Sequence, residues 1–249
     1  MPLVPSIPHP PNGVMLGLLI LRDGVCSQDM AMPLLILASS SPRRAELLRQ
    51  LAFDFKVVPS DIAEIHHGEL TAREVSQINA YRKARSVAKK NPDALVLGAD
   101  TLVYLGTVLF GKPKVLEEAY AMLEQLQGRT HQVVTAICLL HLRSHRQRIF
   151  TETTSVTFKP LDAVAIRRYL TKINPLDKAG AYAIQEQGDL LVDRIFGSYT
   201  NVVGLPLERL KVELLSWPGS IQPWEAGVAP IPGINIPART SPRAAPPAR

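Results

Sequence analysis

The chain has 249 residues, and its hydrophobic fraction of 46% is ample for a buried core. Its 28 Lys and Arg exceed its 22 Asp and Glu, and the resulting net charge of +6 favours an anionic partner. Nucleic acid is disfavoured as that partner, because the basic residues are scattered and only 6% of the chain is aromatic, which leaves no visible surface for stacking bases.

The sequence carries no signal for export or for a membrane. The apolar run 14–21 is too short to cross a bilayer, and no Lys or Arg precedes it. Cys26 and Cys138 lie far apart without a nearby His or Cys at metal-ligand spacing, so they predict neither a disulfide framework nor a zinc site. We therefore expect a soluble cytoplasmic protein.

Proline marks the ends of the predicted folded domain. Residues 1–31 and 219–249 hold 12 of the 21 prolines and show little hydrophobic periodicity, which predicts two disordered tails. The first tail is also consistent with an artefact of start-site choice, since Met32 lies just before the first predicted strand. The folded domain is then 32–218.

The predicted domain begins with a strand, a turn and a helix. The wholly apolar run 34–38 is typical of a strand buried on both faces. After the turn, Ser41 can cap a helix in which Pro42 takes the first position.

The rest of the domain alternates between strand and helix signals. In chain order they predict strand 55–58, a helix from a Thr71–Glu74 capping box to about Lys90, strand 94–99, a hairpin over 102–110 that turns near Gly106, helix 115–127 closed by Gly128, antiparallel strands 131–142 and 148–158, a helix from Asp162 to Thr171, strand 190–196, a loop over 197–206 and helix 207–216. This order indicates an α/β fold, a mixed sheet with flanking helices and a cleft.

Common nucleotide and protease motifs are missing from the sequence. It contains no GxxxxGK[ST] loop, no GxGxxG turn and no HExxH helix. Candidate chemistry therefore falls on polar residues at the ends of apolar strands, where sheet proteins often place their sites.

The first such group is the turn after the first strand. Ser39 and Ser41 supply hydroxyls there, Arg43 and Arg44 supply guanidinium groups, and the start of a helix supplies free N–H groups, a combination that binds phosphate. The alternative is that the serines only cap the helix and the arginines are solvated. Two arginines in a first helical turn oppose the helix dipole, however, and an anionic ligand would relieve that cost.

Asp100 is the second candidate, because it directly follows the predicted strand 94–99 and is followed by Thr101. A carboxylate there could hold a metal or orient water, with Glu64 of the polar loop as a second metal ligand. The alternative is an Asp that caps a turn. The pair His66 and His67 could also bind metal, but adjacent side chains on an extended loop point apart, which favours an ordinary surface role.

Three lysines could each contact a phosphate or simply be solvated. They are Lys83 within a helix, Lys112 in Gly-Lys-Pro and Lys178 in Asp-Lys-Ala-Gly.

Taken together, five segments in the same order resemble the Maf family of nucleotide pyrophosphatases. They are Ser39-Ser40-Ser41-Pro42-Arg43-Arg44, Gly98-Ala99-Asp100-Thr101, Gly111-Lys112-Pro113, Asp177-Lys178-Ala179-Gly180-Ala181-Tyr182-Ala183-Ile184-Gln185, and Gly197-Ser198-Tyr199 through Pro206. The resemblance runs from about 34 to 215. It implies an elongated mixed sheet with a central cleft, similar to inosine triphosphate pyrophosphatase-like folds, and commonly a homodimer.

The resemblance also implies roles for the candidate residues. Asp100 resembles the general base or metal-supporting carboxylate, with Mg²⁺ or Mn²⁺ as the cofactor. Lys83, Lys112 and Lys178 resemble contacts to the phosphates and the transition state. Arg43, Thr101 and Gln185 resemble the residues that select the base.

This pattern is similar to the subgroup that acts on dTTP and UTP. The alternatives are a modified pyrimidine triphosphate as the substrate, a sibling subgroup that prefers 7-methyl-GTP, and a non-catalytic nucleotide-binding regulator of septum formation. One departure affects the metal site: the acidic loop reads Ser60-Asp61-Ile62-Ala63-Glu64, with Ala63 where relatives usually have Asp. Glu64 is therefore the better metal ligand, and Asp61 is a possible substitute.

Overall fold

The computed structural model describes residues 33–65 and 69–218. The two predicted tails and the pair His66 and His67 lie outside these residues.

The described residues form one seven-stranded mixed sheet. The strand order is β2-β1-β3-β5-β6-β7, and β4 pairs separately with β3. The strands are β1 (Leu35–Leu37), β2 (Phe55–Val57), β3 (Leu95–Leu105), β4 (Val108–Phe110), β5 (Thr130–His141), β6 (Arg146–Phe158) and β7 (Val192–Phe196). β1 runs parallel to β2 and β3, and the other pairs are antiparallel. The predicted mixed sheet is confirmed.

Helices pack on both faces of this sheet. They are α1 (Pro42–Arg49), α2 (Ala72–Ala88), α3 (Leu116–Leu126), α4 (Ala163–Leu170), α5 (Tyr199–Val203) and α6 (Leu207–Leu215). Side chains alternate along a strand, so Leu35 and Leu37 join a core with α1 and α6, whereas Ile36 joins a second core with α2. Burial on both faces explains why the first strand is wholly apolar.

The helix caps predicted at Thr71 and Asp162 are confirmed, and the one predicted at Ser41 lacks its hydrogen bond. Thr71 and Glu74 form the capping box of α2, with Thr71 Oγ1 accepting from the Glu74 N–H and Glu74 Oε2 accepting from the Thr71 N–H at 2.8 Å. Asp162 caps α4 by accepting from the Ala165 N–H at 2.7 Å. Ser41 is the N-cap residue of α1, but its side chain makes no capping hydrogen bond, and Ser39 Oγ instead accepts from the Ser41 N–H.

The prediction that a strand ends at Ala99 is wrong. β3 continues from Leu95 to Leu105, so Asp100 lies inside a strand and not after one. The polar pair Asp100-Thr101 resembles a break in the sequence, but β5 pairs with β3 from Leu95 to Tyr104 and keeps it extended. The turn at Gly106 is confirmed, and this glycine has a φ of 60°.

Two further predictions near the C-terminus need correction. The loop predicted over 197–206 contains the short helix α5, capped by Ser198. The strand predicted from Leu190 begins at Val192, because a turn of 3-10 helix occupies Gly188–Leu190.

Among residues 33–65 and 69–218, no helix has both the length and the apolar composition that crossing a bilayer requires.

Gly98 allows α2 to pack directly on β3. A Cβ at this position would lie 2.2 Å from the backbone oxygen of Ala80 and 2.8 Å from the backbone nitrogen of Ala84. Only glycine permits this approach. Because Asp100 is two residues further along the same strand, it faces the same helix.

One edge of β3 is open at its centre. β1 pairs with residues 95–97 and β4 with residues 103–105, so within the described chain no strand covers this edge over residues 98–102. Leu95 and Leu97 direct their backbone groups toward β1, and alternation along the strand directs those of Ala99 and Thr101 into the opening.

Candidate active site

A cleft opens at this uncovered edge of β3, beyond the carboxyl end of β1. The predicted site residues that line it are Ser41, Arg43, Arg44, Glu64, Asp100, Thr101, Lys112, Lys178 and Gln185. Lys83 and Ser39 lie behind this lining and contact members of it. The cleft therefore brings together residues that are up to 144 positions apart in the chain, from Ser41 to Gln185.

An ion-paired cluster forms the floor of the cleft. Lys83 Nζ lies 2.7 Å from Asp100 Oδ1 and 2.7 Å from Glu64 Oε1, and Lys112 Nζ lies 3.3 Å from the same Glu64 oxygen. Gly98 makes the first contact possible, because it lets α2 bring Lys83 down to β3.

The two carboxyl groups of this cluster differ in their pKa. Burial raises the pKa of Asp100, and the neighbouring Lys83 opposes this rise only in part. Burial alone would also raise the pKa of Glu64, but Lys83 and Lys112 together outweigh it and lower that pKa to about 2. Glu64 is thus a fixed negative charge, whereas Asp100 is the stronger base.

Asn79 connects Asp100 to the backbone beside Glu64, and it was not among the residues predicted from the sequence. It is 1% exposed. Its Nδ2 donates to Asp100 Oδ2 at 3.2 Å and to the Ile65 carbonyl at 3.2 Å, and its Oδ1 accepts from the Ile65 N–H at 2.9 Å. Asn79 therefore fixes the backbone next to Glu64 relative to Asp100. Its position four residues before Lys83, on the same helical face, was the signal available in the sequence.

Lys178 and Arg43 meet at the opposite wall. Arg43 Nη1 lies 3.1 Å from Asp177 Oδ2, and Lys178 Nζ lies 2.8 Å from Asp177 Oδ1 and 3.5 Å from Glu186 Oε1. Burial alone would raise the pKa of Asp177, but hydrogen bonds from the Lys178 and Arg43 side chains lower it on balance. Asp177 and Glu186, which the sequence did not single out, therefore neutralise part of the positive charge.

Arg44 lines the cleft and reaches from α1 to β3. Its Nε donates to the Gly204 carbonyl at 2.9 Å, and its Nη2 donates to Thr101 Oγ1 at 2.9 Å. Its Nη1 donates to Ser39 Oγ at 3.3 Å. The turn after β1 is therefore tied to the strand that carries Asp100.

Five cations and fewer anions surround the cleft. The cations are Arg43, Arg44, Lys83, Lys112 and Lys178, and the carboxylates in contact with them are Glu64, Asp100, Asp177 and Glu186. Because each lysine is already held by a carboxylate, the cationic groups are oriented in advance for an anion. Such an arrangement suits a polyphosphate.

The family model for Maf-like proteins matches residues 34–217. The dTTP/UTP pyrophosphatase of Pelotomaculum thermopropionicum is 46% identical over 176 residues, which cover 71% of this chain and 92% of the relative. The protein of the same name from Alkaliphilus oremlandii is 45% identical over 181 residues, covering 72% and 94%, and that from Myxococcus xanthus is 47% identical over 194 residues, covering 78% and 96%. The chain belongs to the Maf family.

Proposed function

We propose that this protein hydrolyses dTTP and UTP to the nucleoside monophosphate and pyrophosphate. The observation that carries the proposal is the cluster of Asp100, Lys83 and Glu64 at the floor of a cationic cleft. The relatives that match this chain over most of their own length are named dTTP/UTP pyrophosphatases, and these names support the same substrate class.

The cleft offers one buried base in a field of positive charge. Hydrolysis requires the oxygen of a water molecule to attack the α-phosphorus while the bond from that phosphorus to the bridging oxygen breaks, so that pyrophosphate leaves. Asp100 would accept the proton of the water, and its raised pKa suits that role. Lys83, Lys112 and Lys178 would stabilise the charge on the phosphates.

The residues present are compatible with a divalent metal. Within the described residues no group of three or more His, Cys, Asp or Glu side chains could form a metal cage by itself. Mg²⁺ is commonly held by one or two carboxylates together with substrate phosphates, and Asp100 and Glu64 provide such a pair. Within the described chain, Oε2 of Glu64 has no hydrogen-bond partner and is available for this purpose. A bound Mg²⁺ or Mn²⁺ would supply charge neutralisation at the phosphates.

Base selection would fall to the wall that carries Gln185. Its amide can both donate and accept, which matches the edge of a pyrimidine. Arg43 and Thr101 line the same cleft. Homodimerisation, which the family resemblance implies, and a cytoplasmic location, which we expect from the sequence composition, stay predictions.

The test is a panel of nucleoside triphosphates with Mg²⁺ or Mn²⁺, scored for pyrophosphate as distinct from phosphate. We expect dTTP and UTP to be the preferred substrates. Asp100→Asn should lower kcat by about 10²–10⁴-fold, the usual contribution of a general base. Asp93→Asn is the matched control, since Asp93 is exposed and pairs with Arg143 outside the cleft.

Three results would contradict the proposal. Release of phosphate as the first product would place the cleaved bond elsewhere. A clear preference for 7-methyl-GTP would favour the sibling subgroup. Stoichiometric nucleotide binding without any product would favour a regulatory role.

A further inference from the structure

The cleft wall that carries Gln185 has an unusual backbone. Ala181 and Gln187, which lie before and after Gln185, have φ values of 62° and 57°, and Gly180 has a φ of 69°. Residues other than glycine rarely adopt this left-handed backbone region, so the surrounding structure must hold the segment 181–187 in place.

Tyr169 of α4 holds the middle of this segment from behind. Its ring is fully buried. Its hydroxyl accepts from the Ala183 N–H at 3.0 Å and donates to the Ala183 carbonyl at 3.3 Å. Burial raises the pKa of Tyr169 to about 12, so the hydroxyl keeps the proton that it donates. One side chain thus binds both backbone groups of a residue two positions before Gln185.

Tyr182 anchors the start of the same segment in the core. Its hydroxyl lies 2.8 Å from His131 Nε2 of β5. The rings of His131, Phe158 and Tyr182 pack edge to face, with centroids 4.7 to 5.5 Å apart. Tyr182 lines the cleft together with residues 183–185 of this segment, whereas His131, Phe158 and Tyr169 lie behind them.

We propose that Tyr169 and the His131–Tyr182 pair are positioning residues for base selection, which fix Gln185 and its neighbours against the nucleobase. The inference rests on the proposed function and deepens it. It assigns base selection to the segment 182–185, which buried hydroxyl groups hold, and leaves phosphate binding to the floor and to Lys178 beside this segment.

The test compares Tyr169→Phe and Tyr182→Phe with the wild-type enzyme, using dTTP, UTP and GTP. In both variants we expect KM for dTTP to rise about tenfold, the effect of roughly one net hydrogen bond. The preference for dTTP over GTP should fall by about the same factor. We expect kcat at saturation and the inhibition constant of pyrophosphate to stay within about twofold, because the floor is unchanged.

A second readout does not depend on turnover. Hydrogen exchange of the amides of residues 183–185 should accelerate in Tyr169→Phe. Tyr120→Phe is the matched control. It also removes a phenolic hydroxyl, but from α3, where the ring packs against Arg167.

Each outcome has a definite meaning. Wild-type KM and base preference in both variants would overturn the inference, as would an equal loss of kcat on every substrate. If Tyr169→Phe does not fold, Tyr182→Phe decides the question. Failure of the proposed function is different, because wild-type protein would then release no pyrophosphate from any of the three nucleotides.

Discussion

Replacing Gly98 with alanine should damage both the fold and the floor of the cleft. The new Cβ would meet the backbone oxygen of Ala80 at 2.2 Å, about 1.2 Å short of the 3.4 Å at which ordinary van der Waals contact begins. The obstacle is helix backbone, which cannot rotate away as a side chain can. α2 must therefore move away from β3 and carry Lys83 and Asn79 away from Asp100.

The size of the effect follows from this displacement. Overpacking of a core costs about 1–3 kcal/mol, and a backbone clash belongs at the upper end. For a domain of this size, about 3 kcal/mol lowers Tm by roughly 6–12 °C. A shift of about 1.2 Å would lengthen the 2.7 Å contact between Lys83 and Asp100 beyond hydrogen-bonding distance, so kcat should fall by more than about tenfold.

Thermal unfolding and steady-state pyrophosphate release provide the assays. Gly106→Ala is the control, because it adds the same methyl group at a glycine with nothing within 4 Å. It should cost only about 1 kcal/mol for its left-handed backbone and leave kcat unchanged. Adding Ala84→Gly to Gly98→Ala removes one neighbouring methyl group but not the Ala80 oxygen. Full recovery of Tm and kcat in that double variant would refute the reasoning.

Two further predictions concern other buried polar groups. Asn79→Leu leaves both backbone groups of Ile65 without their partner, so the free energy of unfolding, measured in urea, should fall by about 2 kcal/mol and kcat/KM by about tenfold or more. Asn91→Leu, near the end of the same helix, is the control. Equal kcat/KM for the two variants would contradict a role of Asn79 in the site. Burial lowers the pKa of His131 from 6.5 to about 4, so the unfolded chain binds the extra proton between these values and stability falls as pH falls through this range. From about pH 6.5 to pH 5, wild type should lose about 1.5 kcal/mol more than His131→Asn, measured by urea unfolding at each pH. Parallel losses would show that His131 does not titrate in this way.

Features that depend on neighbouring residues in the chain could be predicted from the sequence. The Thr71–Glu74 capping box and the Asp162 cap involve residues three positions apart, so their geometry follows from the helix itself. The left-handed glycine at Gly106 follows in the same way from the requirements of a tight turn.

Features that depend on distant partners could not be predicted in this way. Asp100 was expected after a strand, because the pairing with Ala136 that keeps β3 extended joins residues far apart in the chain. Asn79 and Tyr169 look ordinary in their helices, and only the folded chain shows that each satisfies backbone groups of a cleft segment. The sequence and its family resemblance identified residues that line the cleft together with Lys83 and Ser39 behind them, but not Asn79 or Tyr169.

The alternation of side chains along β3 has a consequence for how this gene can vary. Gly98 and Asp100 face α2, whereas Thr101 faces Arg44 on the other side of the sheet. Inserting or deleting a single codon between 98 and 101 would reverse the faces of the residues on one side of the change relative to those on the other, so Gly98, Asp100 and Thr101 could not all keep their present neighbours. A substitution in this stretch can reduce activity by a small or a large amount, whereas an insertion or deletion always disrupts the contacts. This stretch of β3 should therefore keep its number of residues in any active variant.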